Sequence, residues 1–165
     1  MTNSSKICTR SILNNFASTD ICVLGGMGPR ASIDFTDKIV SLFENSYGDQ
    51  SHPDILLYSK ASFPSRVDSF LKNSDIFGEQ LSHAIEQLNN LNPKVISIPC
   101  NGAHYWIYKL RLHDKYRNLV LIDEEVAKYI STQHKQTDDW TILGTVVTSE
   151  SNFYQDTFNL SLIHI

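Results

Sequence analysis

The chain has 165 residues, enough for one compact domain and part of another, and 41% are apolar, with 8 Phe, 7 Tyr and 2 Trp. So many buriable side chains exclude a disordered, collagen-like or low-complexity protein. With 14 basic and 18 acidic residues the net charge is −4 and there is no basic block, so neither nucleic acid nor an anionic membrane attracts it.

Three widely spaced cysteines, Cys8, Cys22 and Cys100, lack the density of a secreted disulfide scaffold and point to reduced thiols in the cytoplasm. No apolar run reaches the roughly 18–20 residues of a membrane span.

In chain order, residues 1–19 are rich in Ser, Asn and Thr, with Lys6, Arg10 and no acidic residue. They read as a flexible extension rather than a transit peptide. Residues 21–24 read as a buried strand closed by Gly25-Gly26, and residues 31–43 place Ile33, Ile39, Val40 and Phe43 near helical spacing. Further strands are expected at 55–58, 95–98 and 119–122, and helices at 76–91, 103–112 and 124–133. This alternation predicts an α/β fold over residues 20–136, a parallel four-stranded sheet of order 2-1-3-4 flanked by helices.

A linker at Asp138-Asp139 leads to an expected fifth strand at 140–143 and a helix from near Ser149. Residues 139–165, ending in LSLIHI without a cap or polar tail, read as the truncated start of a second similar α/β domain.

Three loops carry chemistry. Gly25-Gly26-Met27-Gly28-Pro29 joins a strand to a helix whose first position suits proline. Its glycines allow close approach to backbone N–H groups that favour an anion. Gly26 to Ala31 also fits the loose dinucleotide pattern G-x-G-x-x-A, but the next strand is followed by Ser59-Lys60 instead of the acidic residue that holds a ribose. No cofactor is expected.

The second loop, Ala61 to Arg66, offers a guanidinium suited to a carboxylate, though an ordinary exposed arginine would look the same. The third, Pro99-Cys100-Asn101-Gly102-Ala103-His104, sets a cysteine at a helix start, where the dipole is expected to lower its pKa. A phosphatase loop needs an arginine six positions on, where Trp106 stands.

Loops after parallel strands emerge at one sheet edge. Together they suit a small amino-acid or dicarboxylate substrate, with Cys100 as base or nucleophile. His104 either polarises the site or satisfies backbone. The remaining histidines show no metal-ligand spacing, and Asp123-Glu124-Glu125 reads as a helix-start cluster.

Taken together, these motifs resemble the cofactor-independent aspartate/glutamate racemase family. The match rests on Gly25-Gly26-Met27-Gly28-Pro29, His52-Pro53, Phe63-Pro64-Ser65-Arg66, Pro99-Cys100-Asn101 with Ala103-His104-Tyr105, and Thr148 through Tyr154-Gln155. The resemblance implies two similar α/β domains with the site between them. One thiolate removes the Cα proton and a second thiol returns it from the opposite face, without pyridoxal phosphate. It assigns Cys100 as the first-domain catalytic cysteine and Arg66 as the carboxylate ligand, with Gly25, Gly26, Met27, Gly28 and Asn101 lining the site.

Three departures stand out. Gly102 replaces the usual threonine, Glu150 stands where many members bind an acidic side chain with a lysine, and the second-domain cysteine is absent. The expectation is therefore an isomerase of which this chain, lacking that cysteine, is inactive alone. A related thiol-dependent isomerase or decarboxylase and a non-catalytic carboxylate-binding domain are the alternatives, and a homodimer is open to it.

Overall fold

The computed structural model describes residues 19–48, 51–133 and 140–158. Residues 1–18 of the expected extension 1–19, with Cys8, and the expected linker at Asp138-Asp139 lie outside them.

Four parallel strands, β1 (Ile21–Gly25), β2 (Ile55–Ser59), β3 (Val95–Ser97) and β4 (Leu119–Val120), lie in the order β2-β1-β3-β4. β1 pairs with both β2 and β3, Cys22 aligning with Leu56 on one side and Ile96 on the other. A strand paired on both sides and covered on both faces must be apolar throughout. Accordingly, Cys22, Val23 and Leu24 are fully buried, and desolvation pushes the Cys22 thiol up to about 11.

Helices α1 (Pro29–Tyr47), α2 (Arg66–Leu71), α3 (Ile76–Asn89), α4 (Asn101–Lys109), α5 (Leu112–Lys115) and α6 (Ile122–Gln133) fill the connections. Pro29 opens α1 at a position where its missing N–H costs nothing, and Gly48, at φ 97°, closes it. α3 buries Phe77, Leu81, Ala84, Ile85 and Leu88, a spacing of three to four residues that makes one apolar face. That face meets α4 through Phe77 and Trp106, whose ring centroids lie 4.6 Å apart. Trp106, expected to deny the loop an arginine, is thus a fully buried core residue. Each such side chain contributes on the order of 1.5–3 kcal/mol relative to exposure.

Several boundaries depart from expectation. α4 begins at Asn101 and ends by Leu110, and Arg111 takes a left-handed φ of 52° before α5. β4 stops at Val120 because Ile122 opens α6 and gives its N–H to a histidine ring instead of a strand.

The largest departure is the expected strand at 140–143. Residues 140–145 are neither helix nor strand, and Leu143 is 87% exposed. A strand needs a neighbour to satisfy its N–H and C=O groups, and among the described residues β4 pairs only with β3. Helices α7 (Val146–Glu150) and α8 (Phe153–Phe158) follow. They pack against α2, α4 and α6.

Candidate active site

The loops after β1, β2 and β3 meet at the carboxyl edge of the sheet. The first two touch through backbone. Lys60 donates its N–H to the Gly25 carbonyl at 3.2 Å, and a Cβ on Gly26 would lie 2.3 Å from the Lys60 carbonyl oxygen. With φ at 93° as well, only glycine fits at position 26. Gly25 is buried against Ser32 and Leu57, and the Met27 side chain is in the core. From this loop the Met27 carbonyl reaches the third loop, where Cys100 Sγ donates to it at 3.7 Å. Gly28 is the exposed N-cap of α1.

Arg66 opens α2, whose N-cap Ser65 accepts the Asp68 N–H at 3.2 Å. Its side chain crosses to the third loop, since a Cβ on Gly102 would lie 3.7 Å from Arg66 Cδ and 3.8 Å from Nε. The same point lies 3.8 Å from Val147 Cβ on α7. Among the sequence-derived site residues, the structure thus brings together Arg66, Gly102, Cys100 and the Met27 carbonyl. Glu150, at the far end of α7, is exposed and has no side-chain hydrogen bond or ion pair among the described residues.

Cys100 is the N-cap of α4. The expected lowering of its pKa is not found. Desolvation raises it, and the Arg66 charge and the Ala103 and Gly102 amides oppose that rise without overcoming it. A helix terminus acts over about one turn, whereas burial acts through every apolar neighbour of the sulfur.

Asn101, the next residue, is exposed, and its Oδ1 accepts the Tyr154 hydroxyl at 2.7 Å. Burial first, and the Asp123 charge second, push Tyr154 up to about 12, so its proton stays in place. Among the described residues the Asn101 amide N–H groups have no acceptor.

His104 is fully buried. Nε2 lies 3.1 Å from the Ile122 N–H, which can only donate, so Nε2 accepts and Nδ1 carries the proton to the Cys100 carbonyl at 3.0 Å. Burial lowers its pKa, against the Cys100 carbonyl bond and the Asp123 charge. Of its two expected roles, the backbone one is observed.

Sequence reasoning missed Asp123. Set in an exposed-looking acidic run, it is wholly buried, its Oδ2 accepting the Tyr108 and Thr157 hydroxyls, each at 2.5 Å. Only its helix-start position was visible in advance. Among the described residues no group of three or more His, Cys, Asp or Glu is placed to hold a metal ion, and no helix is long and apolar enough to cross a membrane.

A family model described as Asp/Glu/hydantoin racemase matches residues 24–160. The chain belongs to that family.

Among its relatives, the broad specificity amino-acid racemase RacX of Bacillus subtilis (strain 168) is 25% identical over 138 residues, 82% of this chain and 58% of the relative. An aspartate racemase from Picrophilus torridus superposes with a TM-score of 0.70 at 22% identity, over 88% of this chain and 62% of that one. A putative Asp/Glu racemase from Yersinia pestis gives 0.72 at 23%, over 88% and 64%. These structural likenesses show a shared fold. The chain spans less than two thirds of the length of these relatives.

Proposed function

We propose that the chain forms one wall of a cofactor-independent amino-acid racemase site, in which Cys100 exchanges the Cα proton of a substrate held by its carboxylate on Arg66. The observation that carries this reading is the meeting of Arg66 with Gly102, two residues along the chain from Cys100. In the proposed step the Cys100 thiolate takes the Cα proton and becomes a thiol. The electron pair left on Cα spreads onto the carboxylate, where the guanidinium and the Asn101 amide stabilise the developing charge. Return of a proton to the same face regenerates the thiolate without inversion.

A raised thiol pKa has two consequences. It reduces the thiolate fraction at neutral pH, and it makes the thiolate that does form a stronger base for a weakly acidic C–H. Inversion needs a second acid on the opposite face of Cα. Cys22 is sealed in the core, and the reading gives that acid to a cysteine of the second domain, as the family resemblance implies.

The raised pKa and the missing hydroxyl at Gly102 also favour a second reading, a carboxylate-binding domain without turnover. Incubation with each enantiomer of aspartate, glutamate and neutral amino acids in deuterated water separates them. The Cα–H signal of one enantiomer should disappear slowly, without the opposite enantiomer accumulating and not at all in Cys100→Ala. Carboxylate binding without exchange would establish the second reading. Exchange persisting in Cys100→Ala would assign the base elsewhere.

A further inference from the structure

The turn that carries the thiol is braced by a second side chain. Cys100 is an N-cap residue with extended backbone (φ −152°, ψ 101°), and its thiol, which reaches the Met27 carbonyl, makes no capping bond to α4. The Cys100 carbonyl accepts the Ala103 N–H at 3.1 Å and is tied further by the ring of His104, whose other nitrogen receives the first N–H of α6. One buried imidazole therefore couples the start of α4, which carries the thiol, to the start of α6.

The ring is further packed against Phe153 of α8, nearly parallel at 22° with centroids 6.1 Å apart. Opening the turn at Cys100 would swing Sγ away from the Met27 carbonyl and misalign the Gly102 and Ala103 amides that favour the thiolate.

We infer that His104 is a positioning residue for Cys100, acting through its Nδ1–H tautomer on the Cys100 carbonyl and never touching substrate. The arrangement requires a neutral ring, because protonation would place an Nε2–H against the Ile122 N–H, two donors facing each other. The titratable groups facing the ring are Asp123 from α6 and Cys100 on its own helix. Tyr108 binds Asp123 directly, and Tyr154 on α8 feels the Asp123 charge. The Asp123 field favours protonation, and complete burial of the imidazole opposes it. The inference rests on the reading of Cys100 as the reactive thiol.

Two substitutions separate the bonds. An asparagine amide occupies roughly the place of Nδ1 and keeps a donor for the Cys100 carbonyl, whereas a glutamine carbonyl reaches the place of Nε2 and keeps only the acceptor for Ile122. Iodoacetamide labelling of the 165-residue chain is followed against pH by peptide mass, with buried Cys22 as the control for folding.

His104→Gln should slow Cys100 labelling about fivefold at pH 7.5 and move its profile to higher pH, the effect of losing roughly one amide bond to the sulfur. His104→Asn should stay within about twofold of the parent. Equal slowing in both variants, or none in either, overturns the inference.

If either variant exposes Cys22 to labelling, the tautomer in the parent decides by nitrogen NMR. A protonated Nδ1 and bare Nε2 at pH 7.5 sustain the inference, and the opposite tautomer overturns it. A parent Cys100 that labels no faster than Cys22 defeats the reading of the site itself, and the tautomer then still decides whether His104 holds this loop.

Discussion

Arg66 lies directly over Gly102, with the guanidinium stem 3.7–3.8 Å from where a Cβ would stand. Such distances are ordinary van der Waals contact, and Gly102 has no positive φ. The site therefore has room for the side chain that glycine omits. Gly102→Ala should raise stability by about 0.5 kcal/mol by restricting the unfolded chain. Gly102→Thr should also fold and add a hydroxyl beside Arg66, tightening carboxylate binding. Urea midpoints and calorimetry check both, and a loss of more than about 1 kcal/mol for Gly102→Ala would show that the space is already filled.

The Arg66 charge restrains the rise in the Cys100 pKa. Arg66→Gln should raise that pKa further, slowing iodoacetamide labelling at pH 8 several-fold, while Arg66→Lys falls between it and the parent. High salt should mimic the glutamine variant only partly, because the sulfur is largely desolvated. An unchanged pH profile in Arg66→Gln would place the guanidinium too far from the thiol to matter.

His104 sets an acid limit to stability. Its folded pKa lies below the ordinary histidine value of 6.5, so its stabilising effect is complete above that value and is lost as pH falls through the depressed folded pKa. Between those limits the loss approaches about 1.4 kcal/mol per pH unit. The exposed Asp20–Lys94 pair also weakens in acid, but its aspartate pKa is already below 3.8, so it titrates in more acidic solution. Denaturation midpoints between pH 7.5 and 5 should fall more steeply in the parent than in His104→Asn. Equal slopes would assign the acid sensitivity to another group.

Asp123 gathers hydroxyls from two helices, Tyr108 of α4 and Thr157 of α8. Asp123→Ala strands the half-buried Tyr108 hydroxyl, whereas the Thr157 hydroxyl keeps the Phe153 carbonyl at 2.8 Å, and the change should cost about 1–3 kcal/mol. Thr157→Val removes one donor and should cost about 1–2 kcal/mol while loosening α8. Hydrogen exchange of the α8 amides is the sharper readout. Unchanged protection in Thr157→Val would mean that aromatic packing of Phe153 and Tyr154 holds that helix without the bond.

The layered α/β plan is legible in the amino-acid sequence, because strand and helix are written in local spacing. The apolar run at 22–24 demands a strand buried on both faces, and the helical spacing of Phe77, Leu81, Ile85 and Leu88 demands a helix packed along one side. Parallel strands then oblige the glycine loop, Arg66 and Cys100 to share an edge.

What these groups feel at that edge depends on long-range packing. Desolvation of the Cys100 thiol, burial of Asp123 within an acidic run, and the Tyr154 bond to Asn101 across 53 positions depend on atoms distant along the chain. The expected strand at 140–143 has suitable residues and no ladder among those described, because a strand is completed by its neighbour. Local spacing specifies which face of an element is apolar, whereas charge, pKa and hydrogen-bond partners follow from what that face is packed against.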